Sequence, residues 1–177
     1  MNTESNILVE CFVDTLIVKT ILYPQKDYNH KKGCTQVIKQ MRDKFENQAA
    51  FGIIDNDKSE PKDFEGFYML KKHNEQLSIY KYDAKPHYIV KIGKAAEDFI
   101  LKNAEKCKIS LSEYNLPSDL NGLRKITKHI KSLKEADAKL KKLFSALNQN
   151  ENSDFNKLAQ WIECFKATPY NLAVESL

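Results

Sequence analysis

Residues 6–14 read NILVECFVD, an apolar and partly β-branched run that drops two carboxylates, Glu10 and Asp14, at its end. Residues 50–60, AFGIIDNDKSE, repeat the pattern with Asp55 and Asp57. Continuous apolar runs of this length bounded by polar residues read as buried strands. Carboxylates avoid apolar surroundings unless a partner offsets their desolvation, and a metal ion is one such partner. Between the two runs, DTLIVKTILY carries apolar residues at helical spacing and is followed by Pro24, and PQKDYNHKKGC is a polar loop. TQVIKQMRDKFEN then places Val37, Ile38, Met41 and Phe45 on one helical face. Strand, helix, strand at this spacing is the start of an α/β layer sheet.

The rest of the first hundred residues continues the pattern. LSIYKYD and HYIVKIG read as strands, FYMLKKHNEQ is ambiguous between a short helix and a turn, and KAAEDFILKNAEKC reads as a helix. After residue 108 the β signals stop. Pro117 and Asp119 suit a helix start, and a long basic amphipathic helix is expected to follow, with Ile126, Ile130, Leu133, Leu140, Leu143 and Leu147 as its apolar stripe. Ser153 is placed to cap a last helix whose apolar face holds Leu158, Trp161, Ile162 and Phe165. The expected organisation is therefore an α/β domain over 1–107 and an α-helical extension over 108–177.

Composition narrows the function classes. Among 177 residues, 42% are hydrophobic and 29% charged, enough for a core in an ordinary globular chain. No apolar run approaches the roughly 20 residues that span a bilayer, so no membrane partner is expected. MNTESN has no basic region or apolar core of a secretory signal, and a cytoplasmic location is the expectation. Cys11, Cys34, Cys107 and Cys164 are scattered without CxxC spacing, which disfavours structural zinc and suits free thiols. There is no glycine-rich phosphate loop, GxSxG or HExxH.

The net charge of +4 permits nucleic-acid binding without demanding it. The positive residues cluster in 123–144, LRKITKHIKSLKEADAKLKKLF. That segment reads either as a solvated helix face or as a face that contacts phosphates through Lys131, Lys139, Lys141 and Lys142, and Lys58 reads either as a phosphate neighbour or, more simply, as a solvated turn residue.

The acidic residues fall where an α/β sheet gathers ligands, at the carboxyl ends of its strands. If the two strands are parallel neighbours, Glu10 meets Asp55, Asp57 points the same way, and Asp14 lies one helical turn above Glu10. Four carboxylates at one edge repel one another, and a hard cation such as Mg²⁺ resolves the conflict. Glu97, in AAEDFI, reads as a further acidic participant or, more simply, as a surface residue.

The order LVECFVD (Glu10, Asp14), apolar helix, GIIDND (Asp55, Asp57) resembles the Toprim domain of topoisomerases, bacterial primases, small ribonucleases and phage-defence nucleases. The resemblance covers residues 5–105. Two departures are Cys11, where the family usually has glycine, and DNDKSE, which lacks the usual small-residue turn. It implies a Rossmann-like, mostly parallel sheet flanked by helices, with Mg²⁺ or Mn²⁺ held by Glu10, Asp55 and Asp57. It also implies that Glu10 acts as second ligand or general acid/base and that Asp14 is an outer ligand. The chain is short for a topoisomerase or primase, so hydrolysis of DNA or RNA phosphodiesters is the economical expectation. A non-catalytic binding protein with a degenerate site and a phosphohydrolase of small substrates are the alternatives. Stand-alone proteins of this kind resemble components of prokaryotic defence systems, which implies a partner ATPase or a homo-oligomer.

Overall fold

A computed structural model of the chain describes residues 6–22, 29–30, 33–56, 62–129, 138–173, 175 and 177. The first strand, β1 (Ile7–Val9), leads directly into helix α1 (Phe12–Ile21). A two-residue strand β2 (Asn29–His30), helix α2 (Cys34–Lys44) and strand β3 (Ala50–Asp55) follow. Then come β4 (Phe67–Asn74), β5 (Leu77–Tyr82), β6 (His87–Ile92) and helix α3 (Ala96–Lys106). Three helices close the chain: α4 (Leu120–Thr127), α5 (Ala138–Gln149) and α6 (Asp154–Ala167).

The strands form one six-stranded sheet in the order β2-β1-β3-β6-β5-β4. β2, β1, β3 and β6 run parallel, and β5 and β4 add antiparallel to β6, so the sheet is mixed. Period-2 alternation divides the side chains between two apolar layers. Ile7, Val9, Phe51, Ile53, Tyr88, Val90 and Ile92 pack beneath α1, α3, α5 and α6. Leu8, Ala50, Ile54 and Ile89 pack beneath α2 through Val37, Ile38, Met41 and Phe45. Gly52 lets α2 approach closely, since a Cβ there would lie 2.9 Å from Val37 Cγ1 and 3.0 Å from Met41 Sδ.

The helices after residue 107 join the larger of these layers rather than building a core of their own. Leu123, Leu140, Leu143, Phe144, Leu147, Phe155, Leu158, Trp161, Ile162 and Phe165 are all buried in it. Trp161 is fully buried, as a packing anchor should be. α6 starts where expected: the Ser153 hydroxyl accepts the Phe155 N–H at 3.1 Å.

Three local expectations are corrected. FYMLKKHN is strand β4, an edge strand whose register shifts break the alternation that would have marked it. PQKDYNHKKGC contains β2, whose two residues pair in parallel with Leu8 and Val9. The long basic helix is interrupted: α4 ends at Thr127, with a turn at Lys128 and His129, and α5 begins at Ala138. The Thr127 hydroxyl bonds to Glu97 and lies 3.3 Å from the Arg124 carbonyl oxygen, the local side-chain competition that favours a helix end. Ile130, Lys131 and Leu133 of the expected stripe lie outside the described residues.

Candidate acidic site at the sheet edge

The chain leaves β1 toward β2 on one side and returns through α2 to β3 on the other, so β1 and β3 flank the switch point of the parallel part. Ligands of open α/β sheets gather outside the carboxyl ends of such strands. Val9 pairs with Ile53 in the β1–β3 register, which sets Glu10 and Asp55 at the same edge. They touch: Glu10 Oε2 accepts the Asp55 backbone N–H at 2.9 Å. The Glu10 backbone is held from both sides, its N–H donating to Ile53 O at 3.1 Å and its carbonyl accepting from Gly33 N at 3.2 Å. Beyond Asp55 the chain is tied to β6, because Asn56 N–H donates to the Ile92 and Gly93 carbonyls at 3.2 and 3.0 Å. Glu10 and Asp55 are both half-buried, and the Asp55 Oδ1 atom is itself buried.

Asp14 lies in the first turn of α1 and is completely buried. Among the described residues, neither of its carboxyl oxygens has a hydrogen-bond partner. Burial pushes its pKa well above the usual aspartate range, and the charges of Asp55, Glu10 and Glu97 push it further, while the Cys11 thiol pulls the other way. Asp14 therefore feels three other carboxyl groups from β1, β3 and α3. Cys11 caps α1, its Sγ accepting the Asp14 N–H at 3.4 Å. Burial, and after it the Asp14 carboxyl, raise the Cys11 thiol far above its ordinary value, so it stays protonated and is no nucleophile. The cysteines Cys11, Cys34, Cys107 and Cys164 are all free.

The structure thus joins Glu10, Asp14 and Asp55 at one edge. Asp57 and Lys58 lie outside the described residues, as does Lys131. Lys139, Lys141 and Lys142 are exposed on α5, whose apolar side packs on α1. The donors fit a hard cation in kind, since carboxylate oxygens suit Mg²⁺ and Mn²⁺. Glu10 and Asp55 supply two of them. Among the described residues no three His, Cys, Asp or Glu side chains form a metal-holding group.

The β6–α3 junction adds a further carboxyl group to the neighbourhood of Asp14. Glu97 is half-buried in the first turn of α3, accepts the Thr127 hydroxyl, and acts on Asp14. The available signal was that α3 follows the next parallel strand, so its first turn opens on the same edge as Asp55. A cavity of about 380 Å³ lies there, walled by residues 11–13 at the start of α1, by Glu97, and by Arg124, Thr127 and Lys128 of α4.

No helix among the described residues is long and apolar enough to cross a membrane. Comparison of the chain with protein-family models, with curated proteins and with solved structures gives no significant match.

Proposed function

We propose that the protein is a Toprim-like, Mg²⁺- or Mn²⁺-dependent hydrolase of nucleic-acid phosphodiester bonds. The observation that carries this reading is the contact of Glu10 with Asp55 at the switch point of a parallel sheet, above a buried Asp14 whose oxygens have no hydrogen-bond partner among the described residues. A carboxyl pair at this position suits a hard cation, with Glu10, Asp55 and Asp57 as its holders. When bound, such a cation neutralises charge that develops on the phosphate and leaving-group oxygens. Glu10, held by its backbone bonds and by the Asp55 N–H, serves either as second holder of the cation or as the general base that takes a proton from an attacking water. Asp14 lies buried beside the pair, its pKa pushed up by burial and by the neighbouring carboxyl groups.

A second reading, a binding protein with a degenerate site, is favoured by one contact. The Cys11 thiol fills the cap of α1, a bond that glycine cannot make, and so covers a donor at the edge. A cleavage assay separates the two readings, using DNA and RNA substrates with Mg²⁺ or Mn²⁺. The nuclease reading predicts cleavage that falls by about a hundredfold or more in Asp55→Ala and Glu10→Gln. Cleavage that persists in both variants would remove these residues from the mechanism, and absence of cleavage by the native protein would favour the degenerate site.

A further inference from the structure

Beside the acidic edge, the cavity between α1 and α4 carries charge of the opposite sign. Arg124 on α4 and Lys128, the residue that caps its end one helical turn later, both line it, whereas the intervening Lys125 does not. Both cations are exposed, and neither forms an ion pair among the described residues. Glu97 is the acid on the wall, and its carboxylate is engaged by the Thr127 hydroxyl, a bond that also pins the end of α4 to α3. Phe12 and Val13 make the opposite wall apolar. At about 380 Å³ the cavity is at the small end of ligand sites, with room for one nucleotide unit.

We propose that this cavity seats the backbone phosphate neighbouring the cleaved one, held by Arg124 and Lys128. The inference rests on the phosphodiester reading and names the part of the chain that grips the substrate. It moves that role from the lysines of α5 to the end of α4. Cys11 joins the two parts, since it caps the helix bearing Asp14 and also lines the cavity. Glu10 precedes Cys11 in the chain, so a phosphate resting on Arg124 and Lys128 would lie beside the acidic edge. The apolar wall would face sugar and base without reading sequence.

The test is binding without turnover. Fluorescein-labelled single-stranded DNA and RNA of one sequence are titrated in EDTA at several salt concentrations, followed by anisotropy. The native protein should bind at least one of the two, and the DNA and RNA arms show which. Arg124→Ala/Lys128→Ala should bind about tenfold more weakly, with a log–log salt slope shallower by about 1.4, the value for two lost contacts to a single strand. Lys141→Ala/Lys142→Ala and Lys125→Ala should match the native slope, and Arg124→Lys/Lys128→Arg should restore it. An unchanged slope in the double alanine variant, or no binding by the native protein, would overturn the inference. Because EDTA removes the cation, weakened binding with no cleavage in the metal assay would sink the nuclease reading alone. Cleavage by the double alanine variant with unchanged KM would sink this inference alone.

Discussion

Two aspartates, Asp14 and Asp154, each stand in the first turn of a helix and are almost wholly buried, at 0% and 2% exposure, yet their surroundings are opposite. Asp154 is saturated with partners. Its Oδ1 accepts from Lys106 Nζ at 2.6 Å and Asn74 Nδ2 at 2.9 Å, with His73 Nε2 at 3.5 Å. Its backbone N–H donates to Asn103 Oδ1 at 2.7 Å, and the neighbouring Ser153 hydroxyl reaches the same oxygen at 3.3 Å. These bonds fasten α6 to α3 and to the edge strand β4. Asp14 has none of this: its oxygens are without hydrogen-bond partners among the described residues, and carboxyl groups of its own sign surround it. A buried charge that is fully satisfied holds a fold together, while one that is not must hold a proton or await a cation.

Breaking the satisfied side should produce the larger effect. Asp154→Ala removes the acceptor shared by Lys106 and Asn74, and is expected to lower unfolding free energy by about 3 kcal/mol, measured by urea denaturation. Lys106 remains partly exposed, which keeps the loss below the upper range for buried pairs. A loss of under about 0.5 kcal/mol, the scale of an ordinary surface substitution, would mean that the cluster does not fasten α6.

How far each aspartate was legible differs for a physical reason. Glu10 and Asp55 end two short apolar runs separated by two helical patterns, an order that suits an α/β sheet, and once the strands are parallel neighbours they share an edge. Ser153 was equally legible, because capping is written in adjacent residues. The partners of Asp154 come from positions 74 and 106, far away in sequence, and no local pattern joins them. β4 was ambiguous because an exposed, irregular edge strand loses its alternation. The break between α4 and α5 was hidden because apolar residues keep helical spacing across 126–147, while the Thr127–Glu97 bond that accompanies the helix end is a tertiary contact. For the same reason Arg124 and Lys128 could not be told from the other cations of that segment until α4 was placed against α1.

The unsatisfied side should respond with the opposite sign. The folded-state pKa of Asp14 lies above its ordinary value of about 3.9. Across the window from that ordinary value up to the raised one, the folded protein keeps a proton that the unfolded chain has released. Stability therefore falls as pH rises through the window. Asp14→Asn should abolish that fall and leave the variant more stable than the native protein at mildly alkaline pH, by about 2 kcal/mol. Thermal melts of both proteins across pH read this directly. Parallel pH profiles would show that Asp14 is satisfied after all.

The central claim, that the acidic edge is built to hold a hard cation, is tested most directly by titrating the metal-free protein with Mn²⁺ and following the free ion by electron paramagnetic resonance. The account predicts a single saturable site in the native protein that is lost in Glu10→Gln and in Asp55→Ala, with the fold intact by circular dichroism. Binding of equal strength in both variants, or no binding by the native protein, would contradict it.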